Sequence, residues 1–242
     1  MSPNPESTRL LVHGASGRMG RAVLRLCAEG VPGCTVVAAV SRSPSQRVVD
    51  GVPQFAVREL GGVPGFDVAI DFSLPDAFDP LLALCRARGA GLVSGTTGLS
   101  GEQQAALDAA AASIPVLWAA NFSLGVAVLE DLVERAAAAL AGWDCDIVET
   151  HHVHKQDAPS GTALVLGAAA GRGGAGPRYA SLRAGDVVGE HLVQFTGAGE
   201  RLELVHRATS RDIFARGALL AAARLRARGP GRWRLRDLLQ AS

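Results

Sequence analysis

Three histidines and a lysine fall within five residues, at His151, His152, His154 and Lys155, inside the stretch ETHHVHKQDAPSGT from Glu149 to Thr162. Imidazoles exchange protons near neutral pH, and an ammonium beside them adds fixed positive charge. These group types suit acid–base work on an anion. Ser160 follows Pro159 and precedes the apolar run Ala163 to Ala170, a pattern that predicts a helix N-cap at Ser160. A helix start leaves backbone N–H groups unpaired and carries partial positive charge. A cationic cluster just before it can hold a carboxylate or a phosphate. Two other readings stay open. A loop rich in His and Lys can be an ordinary solvated surface. His152 and His154 would share one face of a strand and could ligate zinc, although Lys155 puts an ammonium among them and no paired cysteine stands nearby.

Such groups need a scaffold, and the first half of the chain reads as strands alternating with helices. Arg9 to His13 (RLLVH) predicts a buried strand. It leads into GASGRMG, with glycines at Gly14, Gly17 and Gly20, and then into a helix that runs to Gly30. Strand, glycine turn and helix form the context for a dinucleotide, because glycine lets the backbone approach a pyrophosphate in front of a helix N-terminus. The same glycines would also serve a tight turn with no ligand. The next strand, Cys34 to Val40, ends in Ser41-Arg42 where an acidic residue would hold the adenosine ribose hydroxyls. Nothing there repels a 2′-phosphate and Arg42 could bind one, so NADPH should be accepted at least as well as NADH. Further strands are predicted at Asp67 to Phe72, Leu92 to Ser94 and Ile114 to Trp118, with helices at Asp76 to Arg88 and from a Ser100/Gln103 capping box through Ala112. Their exits, at Ser73, Gly95-Thr96-Thr97-Gly98 and Asn121-Phe122-Ser123, carry small polar residues. The alternation predicts a parallel, doubly wound α/β sheet.

The second half changes character. A helix is predicted over Leu124 to Leu140, then a strand over Asp144 to Thr150 that delivers the histidines, and a helix from Thr162 to about Ala170. GRGGAGP, Gly171 to Pro177, reads as a turn. Strands at Ser181 to Arg183, Glu190 to Phe195 and Arg201 to His206 predict an antiparallel or mixed sheet with helices on one face. A helix over Ser210 to Arg226 and an amphipathic piece over Arg232 to Leu239 complete the chain. Five arginines between Arg224 and Arg234 fit a solvated helix face better than a nucleic-acid surface.

Composition excludes several classes. With 48% hydrophobic and 19% charged residues, the 242-residue chain can bury one large core or two small ones. A formal net charge of +1 gives no electrostatic case for nucleic acid or an anionic membrane. The cysteines, Cys27, Cys34, Cys85 and Cys145, form no CxxC pair and suggest free thiols in a reducing compartment. MSPNPEST lacks the apolar core of a signal peptide, and no apolar run is long enough to span a bilayer. A soluble, cytoplasmic protein is the expectation.

The glycine turn, Ile70-Asp71-Phe72-Ser73, Gly95 to Gly98, Ala119 to Ser123 and above all Glu149 to Thr162 resemble the dihydrodipicolinate reductase family, also called 4-hydroxy-tetrahydrodipicolinate reductases. Arg183-Ala184-Gly185-Asp186, Gly189-Glu190-His191 and Ser210-Arg211 to Phe214 match it too, in the right order along nearly the whole chain. The resemblance implies an NAD(P)H-dependent reductase of the lysine and diaminopimelate pathway that acts on a small dicarboxylate and assembles as a homotetramer. It implies a Rossmann-type domain over residues 1–122 and 209–242, and an α+β domain with a mixed sheet for substrate binding and tetramerisation over 123–208. By position, His151 would be the catalytic acid/base and Lys155 its cationic partner, while His152, Ser160, Gly161 and Thr162 would bind the substrate carboxylates. Gly14, Ser16, Gly17, Arg18, Met19, Gly20, Arg42, Ser73, Gly95, Thr96, Thr97, Ala120, Asn121 and Phe122 would bind NADPH or NADH, with Arg211 and Phe214 on the nicotinamide side and no resident metal. The chain departs from the family in having Ser41 where an acidic residue is common, and in a shortened Gly171 to Ser181 segment. Two alternatives remain: another two-domain amino- or imino-acid dehydrogenase, and a regulatory protein that binds NAD(P) without turnover.

Overall fold

The computed structural model describes residues 7–31 and 33–239, so the MSPNPE start lies outside the described residues. The chain divides into two units, residues 1–122 with 214–242, and residues 123–213.

In the first unit, apolar runs bounded by turn residues become short strands with helices between them. They are β1 (Thr8–His13), α1 (Arg18–Ala28), β2 (Cys34–Ser41), β3 (Val48–Val49), β4 (Val52–Ala56), β5 (Val68–Asp71), α2 (Phe78–Arg88), β6 (Gly91–Ser94), α3 (Gly101–Ala110), β7 (Pro115–Trp118), α6 (Asp212–Leu225) and β12 (Gly231–Trp233). The sheet order is β12-β7-β6-β5-β1-β2-β4-β3, and every pairing is parallel except β3 with β4. Every residue of β5 and β6 is buried, as expected of parallel strands covered on both faces. After β1 the chain builds outward to β2 and β4, then returns to the other side of β1 to lay down β5. The crevice at the carboxyl ends of β1 and β5 is therefore the switch point of the fold, the place where such sheets take ligands.

Four local expectations change. The pair β3 and β4 had no clear signature, because its strands are short, partly exposed and interrupted by Pro53. Pro75 starts a one-turn 3₁₀ helix over Pro75–Ala77, and α2 begins only at Phe78. The Arg232 to Leu239 piece begins as strand β12 beside β7 and ends in a 3₁₀ turn over Leu235–Leu238. The arginine cluster is largely exposed, as a solvated face would be, but it is not free of partners. Arg224 bonds the Leu238 carbonyl, Arg228 stacks over Trp233, Arg232 pairs with Asp108 and Arg234 with Asp237. These side chains fasten the last segment to its own unit.

The second unit contains α4 (Leu124–Ala139), β8 (Asp144–His151), α5 (Gly161–Arg172), β9 (Arg178–Arg183), β10 (Gly189–Gly197) and β11 (Glu200–Ala208). The sheet is mixed, in the order β11-β10-β8-β9, with β10 antiparallel to both neighbours and β9 parallel to β8. Leu129 and Val133 of α4 and Leu166 of α5 pack on Ile147, Val193 and Phe195 of the inner sheet face. Truncating Leu166 there would cost roughly 2–5 kcal/mol. Helix α5 runs two residues beyond Ala170, to Arg172, so the turn shrinks to 173–177. All four cysteines are free, and burial pushes the Cys27 thiol up to about 12 and Cys34 to about 11. Such thiols hold little reactive thiolate. Among the described residues no helix is long and apolar enough to cross a membrane.

Candidate active site

In the first unit, β1 ends at His13 and the chain turns at once through Gly14, whose φ is +78°. A Cβ on Gly14 would lie 2.4 Å from the Phe72 carbonyl oxygen, and one on Gly20 would lie 2.3 Å from the Gly14 carbonyl oxygen. Both glycines are required by backbone-to-backbone contact. Gly17 is the N-cap of α1 and provides no side-chain acceptor to the first-turn N–H groups. These groups remain available to an anion. A cleft of about 500 Å³ lies over the turn, and Gly14, Ser16, Gly17, Arg42 and Ser73 share its lining with Ser41. Arg42 has no ion-pair partner among the described residues.

The neighbouring strand exits are more occupied than the sequence suggests. Asp71, fully buried at the end of β5, accepts hydrogen bonds from Ser94 Oγ (2.9 Å), Thr96 Oγ1 (2.8 Å) and the Ser73 N–H (3.1 Å), and pairs with His13 Nδ1 at 2.9 Å. Burial alone would raise its pKa, but hydrogen bonding from His13, Ser73 and Thr96 outweighs this and holds the carboxyl below the usual range. Asp71 thus ties together the ends of β1, β5 and β6. The Thr96 hydroxyl is committed to it and to the Ser73 N–H. Phe122 is buried edge-on against Phe72, and Gly95 leaves room for both rings. Arg18, Thr97 and Ala120 are exposed, while Met19 and Asn121 are half-buried.

The second unit arranges its chemistry by strand register. Alternate residues of β8 point inward, so Glu149 and His151 fall on the same face as Cys145 and Ile147. Antiparallel pairing sets His191 of β10 opposite Glu149, and His206 of β11 opposite His191. Parallel pairing sets Arg183 of β9 beside His151. Glu149 is fully buried and holds His151 Nδ1 at 2.5 Å, the Arg183 guanidinium at 2.9 and 3.0 Å, and the Ser160 N–H at 3.2 Å. Burial works to raise its pKa, but hydrogen bonds from Arg183, Ser181 and His151 prevail and draw it down to about 2. His191 meets the His151 ring edge-on, with 5.2 Å between centroids, and its Nε2 lies 3.2 Å from Ser160 Oγ. Burial and the neighbouring imidazoles lower His191 to about 4, so it stays neutral at pH 7.

Ser160 is the N-cap of α5, and its hydroxyl accepts from the Ala163 N–H. Ser123 caps α4 in the same way and lies 3.2 Å from His206 Nε2. After β8, Val153 and His154 are exposed, while His152 and Lys155 are half-buried. Lys155 pairs with Asp157 at 2.7 Å, and Arg211 Nη2 reaches His152 Nε2 at 3.5 Å. Burial and nearby cations, Arg211 first among them, lower the His152 pKa. Gly161 is exposed and Thr162 half-buried at the start of α5, and His151 is 8% exposed. His154 lies further out, its ring 6.3 Å from that of His152. Among the described residues, no three His, Cys, Asp or Glu side chains gather as metal ligands.

Sequence reading missed four members of this site: Glu149, Arg183, His191 and His206. For Glu149 and His191 the signal was a polar residue at an inward position of an alternating strand; β9 and β11 are largely exposed and gave no such signal for Arg183 and His206. Which strands would be neighbours, and in what register, was not available from spacing.

Comparison with known proteins covers both units. The family description "Dihydrodipicolinate reductase, N-terminus" matches residues 8–122, and "Dihydrodipicolinate reductase, C-terminus" matches residues 125–239. A 4-hydroxy-tetrahydrodipicolinate reductase of Stenotrophomonas maltophilia (strain R551-3) is 74% identical over 98% of this chain and 100% of its own length. One from Xylella fastidiosa (strain 9a5c) is 64% identical over 96% of this chain and 98% of its own. The dipicolinate-bound dihydrodipicolinate reductase from Paenisporosarcina sp. TG-14 shares the fold, with a TM-score of 0.77 at 20% identity, covering 94% of this chain and 97% of that one. The glycine turn, the buried Glu149–His151 pair and the capped α5 all lie within the two matched stretches, and the chain belongs to the dihydrodipicolinate reductase family.

Proposed function

We propose that this chain is an NAD(P)H-dependent oxidoreductase that reduces 4-hydroxy-tetrahydrodipicolinate (dihydrodipicolinate) to tetrahydrodipicolinate, in lysine and diaminopimelate biosynthesis. The observation that carries it is the 74% identity to a reductase of that name along essentially the full chain. The local geometry supports the same reading. A glycine turn that excludes any Cβ, in front of an uncapped helix start, suits a dinucleotide pyrophosphate. Gly14, Ser16, Gly17, Arg18, Met19 and Gly20 would hold the phosphates, and Arg42 would meet a 2′-phosphate. Gly95, Thr97, Ala120 and Asn121 would form the rest of that site, with Ser73 and Thr96 as backbone contacts and Phe122 as a wall. Phe214 and Arg211 would lie on the nicotinamide side. When bound, the nicotinamide supplies the hydride.

The protein's own groups supply position and protons. His152 and the Ser160-Gly161-Thr162 helix start would bind the two carboxylates, since imidazole and unpaired N–H groups at a helix N-terminus both favour anions. His151 would deliver a proton to the ring as charge builds on it, and Lys155 would add a cation beside that charge. The protein would act in the cytoplasm as a homotetramer. The outer face of the four-stranded sheet supports that assembly: Leu182 is 54% and Val205 44% exposed, and no helix of the unit covers them. The direct test is a coupled assay with freshly made substrate and each cofactor in turn. Oxidation of NADPH or NADH that depends on the substrate is expected; cofactor binding with no oxidation would refute the reading.

A further inference from the structure

The inference concerns the groups behind His151 and rests on the proposed role of that residue. His151 has two ring nitrogens in very different surroundings. Nδ1 lies 2.5 Å from Glu149 Oε2. Nε2 bonds no described residue, yet it is not sealed off as the unpartnered ring nitrogens of His13, His191 and His206 are. Gly189 packs closely against the ring: a Cβ there would lie 3.0 Å from Nε2, so a side chain at this position would crowd that nitrogen.

Glu149 is itself held rigidly. Arg183 grips it through two donors, at 2.9 and 3.0 Å, and the N–H of Ser160 closes on Oε1 at 3.2 Å. Glu149 is therefore a fixed, fully buried acceptor, unable to turn away from His151. Its low pKa keeps it ionised across the neutral range, so it offers no proton of its own. The other side chains facing His151 are Arg183 from β9 and His191 from β10, and neither offers a competing acceptor to Nδ1.

We infer that Glu149 is a positioning residue: it commits the Nδ1–H of His151 to itself, and so makes Nε2 the one nitrogen through which His151 takes and gives the reaction's proton. A neutral imidazole carries one N–H. A carboxylate beside Nδ1 fixes that N–H there and leaves the lone pair on Nε2. Protonation then adds the transferable proton at Nε2, while Glu149 stabilises the resulting imidazolium and keeps the ring plane fixed. Arg183 acts one step further back, by anchoring Glu149. No covalent change is required of either residue.

Nitrogen-15 NMR of the full-length protein with NADPH reads the tautomer directly. Wild-type His151, in its neutral form, should show a protonated Nδ1 and an unprotonated Nε2. The opposite tautomer would overturn the inference whatever the activity, and this measurement needs no variant to fold. In Glu149→Gln, the tautomer preference should relax and kcat should fall by about 10²-fold, with the substrate KM changed by less than about threefold. Glu149→Asp should recover part of kcat. In a double-variant cycle, Glu149→Gln should cost little further once His151→Ala is present. An equal cost in both backgrounds would show a merely structural role and sink the inference. Unchanged turnover in His151→Ala would instead remove the reading of His151 as the acid, and so separates that failure from this one.

Discussion

The two units hold their polar groups in opposite ways. At the switch point of the parallel sheet, the buried carboxylate Asp71 is spent on holding strand ends, through His13, Ser94, Thr96 and the Ser73 N–H. What is left at the rim is backbone, small side chains and the cleft lined by Gly14, Ser16 and Gly17. In the mixed sheet, the buried carboxylate Glu149 is turned toward an imidazole that keeps one nitrogen open. The first arrangement selects by shape and by backbone N–H groups. The second works by charge and by which atom carries a proton. A carboxylate in a strand interior is thus not evidence of chemistry; its partners decide whether it braces a scaffold or tunes a reactive group.

Changes that add volume should damage the first unit's role, and changes that remove charge should damage the second's. The largest effect is expected for His151→Ala, which should lower kcat by about 10²-fold or more while cofactor affinity hardly moves; steady-state kinetics beside a cofactor titration checks both. Lys155→Ala should weaken substrate binding as well as turnover, because the proposed role of the ammonium is to add a cation beside the substrate's charge. Gly20→Ala should give the converse pattern. Its Cβ would press on the Gly14 carbonyl oxygen at 2.3 Å. A displacement costing about 1–3 kcal/mol should raise the cofactor Kd by about tenfold or more, with the pH profile of kcat unmoved.

The contrast also carries a pH signature. Glu149 is drawn from an ordinary 4.5 down to about 2 in the folded protein, so its contribution to stability is complete above 4.5 and fades as pH falls toward 2. The stability difference between wild type and Glu149→Gln, from denaturant melts, should therefore shrink across that window and stay constant above it. The smallest effect is expected for Arg42→Ala, a few-fold rise in the KM for NADPH with that for NADH unchanged. A wild-type enzyme with a strong NADH preference would count against any role for Arg42 at a 2′-phosphate.

Much of this was legible in the chain. RLLVH before GASGRMG could only be a buried strand meeting a tight turn, because consecutive apolar residues stop where glycines begin. Ser160 after Pro159 marked a helix start, since proline favours extended backbone before it and the serine hydroxyl can cap the N–H groups that follow. The histidine cluster pointed to groups able to do acid–base chemistry, by residue type alone. Less legible were β4, whose Pro53 hides a short edge strand, and the arginines from Arg224 to Arg234, whose charge suggested a solvated face although most hold their own segment in place.

The sequence by itself determined the local elements, the caps, the glycine turn and the inventory of reactive groups, because each depends on residues within a few positions of one another. Only the tertiary structure decided that Glu149, Arg183 and His191 surround His151, and that Asp71 and Thr96 are turned inward as braces. Arg183 and His191 lie 34 and 42 positions along the chain from Glu149, on strands that only the sheet pairing brings beside it. Partners so distant are chosen by which strands lie side by side and by how they are aligned, and no spacing within a single segment encodes that.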